Sequence, residues 1–199
     1  MLLTLVLRVE RFELHRLMHP FHSDGSDMFF TYFTHLADGL VPLALSLILL
    51  GAGSYRSFLM MGAGCGLGAI VTQLLKRLPF ADVDRPFMFM KELGDLHWIP
   101  GLDLHHHFSF PSGHATAAFN MFFALAVLVP GKWKGVVFGM LAVLLAYSRV
   151  YLSQHFTVDI LAGSAIGTVT SMLVHWWLYR SSFAQRAWLS RGLVRHRNQ

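Results

Sequence analysis

The chain has 199 residues, 54% of them hydrophobic and only 14% charged, with a mean hydropathy of +0.49. Those values exclude an ordinary soluble globule of one-domain length. The net charge of +5 is unevenly placed and does not require nucleic acid as a partner, and the lone Cys65 excludes an intramolecular disulfide.

Residues 1–37 are mixed. The opening MLLTLVL is too short to span a bilayer. VERFELHRLMHPFH then sets Phe12, His15 and His19 three and four apart, which predicts a short helix lying in the membrane interface. No small-residue cleavage site follows a proper apolar stretch, so a cleaved signal peptide is not expected. Five runs without Asp, Glu, Lys or Arg follow, at 39–55, 57–75, 115–131, 135–148 and 160–179. A spanning helix needs about 20 apolar residues, with roughly 17 to 25 tolerated. Four runs qualify, and the short fourth gains length if Lys132, Lys134 and Arg149 snorkel. The predicted fold is all-α: a polytopic transmembrane helical bundle of five spans plus an N-terminal interfacial helix, one membrane-embedded domain over residues 1–199. Gly62, Gly64, Gly66 and Gly68 in the second run let helices approach closely.

Charge sets the orientation. Five crossings put Arg56, Lys132, Lys134, Arg180, Arg186, Arg191, Arg195 and Arg197 on one side with no acidic residue, so that side, including the basic tail 180–199, is cytoplasmic. The other side holds three sequence-distant polar stretches: KRLPFADVDRP at 76–86, FPSGH at 110–114 and SRVYLSQHFTVD at 148–159. The loop 76–114 is the longest polar segment, and loops of that length in compact folds are usually functional.

The chemistry of these stretches is that of phosphoryl transfer. Lys76, Arg77, Arg85 and Arg149 are cations at a membrane edge, and arginine binds phosphate in bidentate fashion. Ser112 is an N-cap candidate, so the backbone N–H groups of Gly113 and His114 open a helix where anions bind. His155 and Asp159, four apart on an entering helix, would let the carboxylate hold one imidazole nitrogen while the other attacks.

Arg85-Pro86, the PSGH at 111–114, and the S-R-x5-H-x3-D of Ser148, Arg149, His155 and Asp159 together resemble the type-2 phosphatidic acid phosphatase family over about residues 27–180. The resemblance implies an integral-membrane lipid phosphatase that cleaves a lipid phosphate monoester or diphosphate through a phosphohistidine, without metal or other cofactor. It implies that His155 is the nucleophile, Asp159 its orienting partner and His114 the proton donor. Lys76, Arg85, Ser112, Gly113 and Arg149 would bind phosphate. Two departures stand out. Eight residues separate Lys76 from Arg85 where six are usual, leaving Lys76 or Arg77 for the first position, and the family typically has six spans rather than five.

Other readings use the same residues. A phosphotransferase would pass the phosphoryl group to an acceptor other than water, and a transporter would bind lipid phosphate without chemistry. A vanadate haloperoxidase shares the anion site but is soluble. The triplet His105, His106 and His107 has the residue type for zinc together with His97 or Asp103, but adjacent side chains rarely converge, and a role at the pocket rim or lipid headgroup is expected instead. His15, His19, His22 and His35, near Asp24, Asp27 and Asp38, are read as hydrogen-bonded interfacial packing. The outward site implies an extracytoplasmic face, and the expected location is a bacterial inner membrane with the site facing the periplasm.

Overall fold

The computed structural model describes residues 8–19 and 22–193. The opening MLLTLVL segment, Arg195 and Arg197 therefore lie outside the described residues. The chain runs through α1 (Arg11–Leu17), α2 (Asp24–Phe33), a 3-10 turn (Thr34–Ala37), α3 (Leu40–Ala52), α4 (Tyr55–Arg77), α5 (Gly113–Leu128), α6 (Lys134–Tyr151) and α7 (Thr157–Tyr179). Short 3-10 turns at Pro86–Phe89, Ser182–Gln185 and Ala187–Ser190 complete it. Side-chain caps mark where the helices begin. Glu10 accepts from Phe12 N and Glu13 N, Ser23 from Ser26 N, and Ser54 from Ser57 N.

Each apolar run forms a helix, but the helices are not five full-length spans. Those long and apolar enough to cross a membrane are α4, α6 and α7, which make this an integral membrane protein. The 135–148 run is extended at both ends into the 18-residue α6. The 39–55 run gives only the 13-residue α3, because the chain breaks at Gly53 and Ser54 to start α4. At 1.5 Å per residue that covers about 20 Å of a roughly 30 Å hydrocarbon core. Further apolar length precedes it: helix α2 with its 3-10 turn meets α3 at a bend of 51°, the geometry of a broken span or of a re-entrant loop. Helix α5, at 16 residues, is a shorter apolar helix. The predicted N-terminal helix is α1, with His15 buried on it and His19 just beyond its end. Burial, then the charges of His19 and Arg16, push the His15 imidazole down to about 3, so it packs against the Phe156 ring as a neutral group.

The core of the bundle is α5 with α4, α6 and α7 packed on it. Small residues set how close they come. A Cβ on Gly163 would collide with the carbonyl oxygen of Ser112, and one on Gly167 would stand 2.6 Å from the carbonyl oxygen of Thr116. On the other side, a Cβ on Gly68 would overlap the Asn120 amide. Polar side chains bridge these close faces. Thr116 Oγ1 donates to the Gly163 carbonyl at 3.1 Å, and Asn120 Oδ1 accepts from Ser171 Oγ at 2.6 Å and Thr170 Oγ1 at 3.1 Å. Away from this polar seam, Met60, Met61, Met121, Leu145 and Leu178 fill the core.

At the basic end the Arg56 guanidinium donates to the carbonyls of Leu178 and Ala184, and Tyr55 N donates to Arg191 O at 2.9 Å. The loops at 53–54 and 180–191 thus share one end of the bundle, as the charge pattern predicts. Gly163 is expected to be intolerant, because the atom it faces is backbone. Gly163→Ala should lower stability by about 1–3 kcal/mol in a detergent melting assay. Gly66→Ala, where an added Cβ meets nothing within 4 Å, should be neutral or mildly stabilising.

Candidate active site

Three buried cations from three segments define the site: Lys76 at the end of α4, Arg85 in the following loop and Arg149 near the end of α6, at 7%, 8% and 6% exposure. Among the described residues every salt bridge uses other groups, so none of the three is paired with a carboxylate. Their partners are neutral. Lys76 Nζ donates to Phe108 O at 2.7 Å. Arg85 donates through Nε to His107 O at 2.9 Å and through one terminal nitrogen to the Gln154 carbonyl and side-chain oxygens at 3.2 and 3.3 Å. Arg149 donates to Thr34 Oγ1 at 2.8 Å, while its buried Nε has no protein partner. Burial pulls Arg85 down to about 10, against the opposing pull of Asp159, which leaves it cationic at neutral pH. Of the two candidates Lys76 is buried and turned to this region, while Arg77 is exposed.

The N-terminus of α5 faces the same region. Ser112 caps it through Oγ, which accepts from Ala115 N at 3.4 Å, and Ser112 N donates to Asp159 O at 3.0 Å. The N–H groups of Gly113 and His114 open the helix, where no intrahelical acceptor exists.

His155 is not on a helix with Asp159. It precedes α7 by two residues, and the contact arises from a cap rather than from i,i+4 helical spacing. The chain leaves α6 through Ser153 at φ 49°, and the N–H groups of Gln154 and His155 both donate back to Arg149 O, at 2.9 and 3.1 Å. Asp159 then sits in the first turn of α7 and accepts from Phe156 N at 3.0 Å and Ser109 Oγ at 2.5 Å, with His155 Nδ1 at 3.3 Å. Nδ1 is thereby held toward the carboxylate, and Nε2 has no partner among the described residues. His155 is driven well below the usual histidine range, first by burial and then by the charges of Arg85, Lys76, Arg149 and His114. Those neighbours bring all three motifs to one imidazole.

Asp38, Ser109, Gln154 and His105 also belong here, and sequence reasoning missed the first three. Asp38 Oδ1 contacts His114 Nε2 at 3.0 Å, and Oδ2 contacts His35 Nδ1 at 2.8 Å. Asp38 was assigned to interfacial packing, because nothing in its spacing to His114, 76 residues away, links the two. Ser109 follows the histidine triplet, and Gln154 immediately precedes His155; position beside a motif was their only signal. His105 lines a cavity of about 320 Å³ with His114, Arg149, Gln154 and Asp38, and burial first, then Arg85, lowers its imidazole. It stands at the rim, as expected of the triplet. The zinc set of the triplet with His97 or Asp103 does not assemble. His107 pairs with Asp84 at 2.7 Å, His106 stacks on Phe87, and His97 lies against Asp27.

The bundle thus gathers buried cations that lack carboxylate partners around a histidine held by a carboxylate. The chain belongs to the PAP2 superfamily, whose family model matches residues 57–183. It is 38% identical over 76 residues to phosphatidylglycerophosphatase B of Bacillus subtilis (strain 168), and 38% identical over 66 residues to an undecaprenyl-diphosphatase of Sulfolobus acidocaldarius. These matches take in 34% and 33% of this chain, and the chain covers 37% and 32% of the two relatives, about a third of their length. Across the fold it is similar to the crystal structure of Aquifex aeolicus LpxE, with a TM-score of 0.70 at 25% identity, covering 82% of this chain and 93% of that one.

The unpartnered Arg149 Nε and the carboxylate-free cations predict an affinity for tetrahedral anions. Inorganic phosphate should raise the melting temperature of the detergent-solubilised chain. Arg149→Gln should weaken that effect about 10- to 100-fold in phosphate concentration, the range of one or two lost charge-assisted bonds.

Proposed function

We propose that the chain hydrolyses a phosphate monoester or diphosphate on a membrane lipid through a phosphohistidine on His155, with the site at the extracytoplasmic face. The observation that carries this reading is the burial of Lys76, Arg85 and Arg149 with no carboxylate partner, beside a histidine whose one nitrogen is held by Asp159. Burying charge is costly unless it is compensated, and a bound phosphate compensates three cations at once. The names of the relatives support a lipid-linked phosphate as substrate.

In the first step the Nε2 lone pair of His155 forms a bond to phosphorus as the bond from phosphorus to the lipid oxygen breaks. Asp159 balances the positive charge on the imidazole, and Ser109, donating to the same carboxylate, keeps it in place. The guanidinium groups, Lys76 and the Gly113 and His114 N–H groups stabilise the charge on the transferring oxygens. His114, held through Nε2 by Asp38, gives its Nδ1 proton to the departing lipid alkoxide. In the second step water attacks phosphorus, the N–P bond breaks, and His114 takes the proton released, which restores both histidines. In-line displacement places the leaving group opposite His155. On the His114 side a cavity of about 220 Å³ runs between the bend at residues 37–39, α4 and α5, lined by Gly39, Cys65, Ala69 and Ala117, and this suits the first carbons of an apolar chain.

These roles use no metal. His155→Ala and His114→Ala should abolish or nearly abolish phosphate release from lipid phosphates in detergent with a chelator present, while wild-type release persists. Near-normal turnover by either variant contradicts the mechanism. Arg149→Gln should lose on the order of 100- to 1,000-fold in kcat/KM.

The depressed His155 pKa has a definite sign. The neutral, nucleophilic form persists to lower pH than an ordinary histidine, so the acid limb of kcat/KM should lie below about 6.5. A half-loss at or above that value contradicts the burial argument.

A further inference from the structure

A second cluster lies outside the phosphate site. His22 precedes α2, Asp27 sits in the first turn of that helix, and His97 comes from the long loop between α4 and α5. The three donor atoms all lie within 4.8 Å of one another. His22 Nδ1 is 2.9 Å from Asp27 Oδ1, and His97 Nε2 is 2.8 Å from Asp27 Oδ2.

We propose that His22, Asp27 and His97 form a zinc site that fastens the N-terminal segment and the long outer loop to the end of α6. Two imidazole nitrogens and one carboxylate oxygen are a donor set suited to Zn²⁺, which keeps a fourth position for water or another protein group. In a tetrahedral site with bonds near 2.0–2.1 Å the donor atoms stand about 3.3 Å apart. The two contacts to Asp27, at 2.9 and 2.8 Å, are shorter than that distance, and all three donor atoms lie within 4.8 Å of one another, so the two rings must rotate outward to admit an ion. The groups around the trio are those that surround a metal's ligands. His22 turns its other nitrogen, Nε2, to His19 Nδ1 at 3.1 Å, and His19 in turn meets Ser153 Oγ at 3.0 Å. Asp27 accepts from the Tyr151 hydroxyl at 2.5 Å. Partners of this kind fix the orientation of ligating side chains. His22 and Asp27 are largely enclosed, with side chains 9% and 14% exposed, and His97 at 46% leaves a path for the ion from solvent.

The site is structural rather than catalytic. Tyr151 stands two residues after Arg149, and Ser153 two before His155, so an ion here would stiffen the turn that carries the phosphate-site residues without touching the substrate.

The test uses the full chain in detergent, stripped with a chelator and desalted. The adjacent imidazoles at 105–107 also attract metal, so a triplet variant, His105→Gln with His106→Gln and His107→Gln, is run beside the wild type. Calorimetric titration with Zn²⁺ should give one tight site per chain in both. His22→Gln with His97→Gln, and separately Asp27→Asn, should weaken that site about 100-fold, and Zn²⁺ should raise the melting temperature of the wild type but not of these variants. Co²⁺ added to the wild type alone should give the visible ligand-field bands of a four-coordinate ion, a readout that does not depend on how any variant folds. Loss of the tight site in the triplet variant, its retention without His22 and His97, or no tight binding by the wild type overturns the proposal, leaving Asp27 as a hydrogen-bonded bridge. Phosphate release by the stripped wild type reports separately on the phosphatase reading.

Discussion

Everything at the site end of this bundle follows from burying Lys76, Arg85 and Arg149 without giving them a carboxylate. An acidic partner would satisfy each cation and silence it toward a ligand. Backbone carbonyls of Phe108, His107 and Gln154, and the hydroxyl of Thr34, do a different job: they hold each head group in position while leaving its charge available. The one deeply buried carboxylate among the described residues, Asp159, is spent on Phe156 N, Ser109 and His155 instead. Charge is thus divided in the site, with the cations left free of carboxylates and the acid turned to His155.

Helix packing makes that division possible. Ser112 lies against Gly163, and Ser112 N reaches the carbonyl of Asp159, so the N-terminus of α5 and the first turn of α7 are joined by backbone contact as well as by side chains. Thr72, Thr116, Asn120 and Ser171 continue the seam inward as paired polar groups. In an apolar solvent these hydrogen bonds and small-residue contacts supply what hydrophobic burial supplies in water.

The motif residues were legible because their chemistry is unusual for their surroundings. Charged and imidazole groups at the ends of apolar runs stand out in any sequence, and Arg85, His114, Arg149, His155 and Asp159 were found that way. Composition also gave the all-α class and the basic end. Helix length was less legible, since an apolar run of 17 residues reads the same whether it forms one straight helix or ends at Gly53. Helix α2 was hidden by its polar first turn, Asp24 and Asp27, and by aromatic residues that suit either an interface or a span. The reach of Asp38 to His114, and of Ser109 to Asp159, depends on a bend and a loop path that no local pattern encodes.

One turn ties Arg85 and Arg149 to His155. The Arg149 carbonyl accepts from the N–H of both Gln154 and His155, and Gln154 in turn binds Arg85 through its own carbonyl and side-chain oxygens. Arg149 and His155 are therefore mounted on a single short bracket of main chain, with Arg85 braced against it through Gln154. Whatever tilts the end of α6 in the bilayer carries that bracket with it, while Lys76, His114 and Asp159 ride on α4, α5 and α7, so a change in membrane thickness acts on the spacing between these two sets of groups.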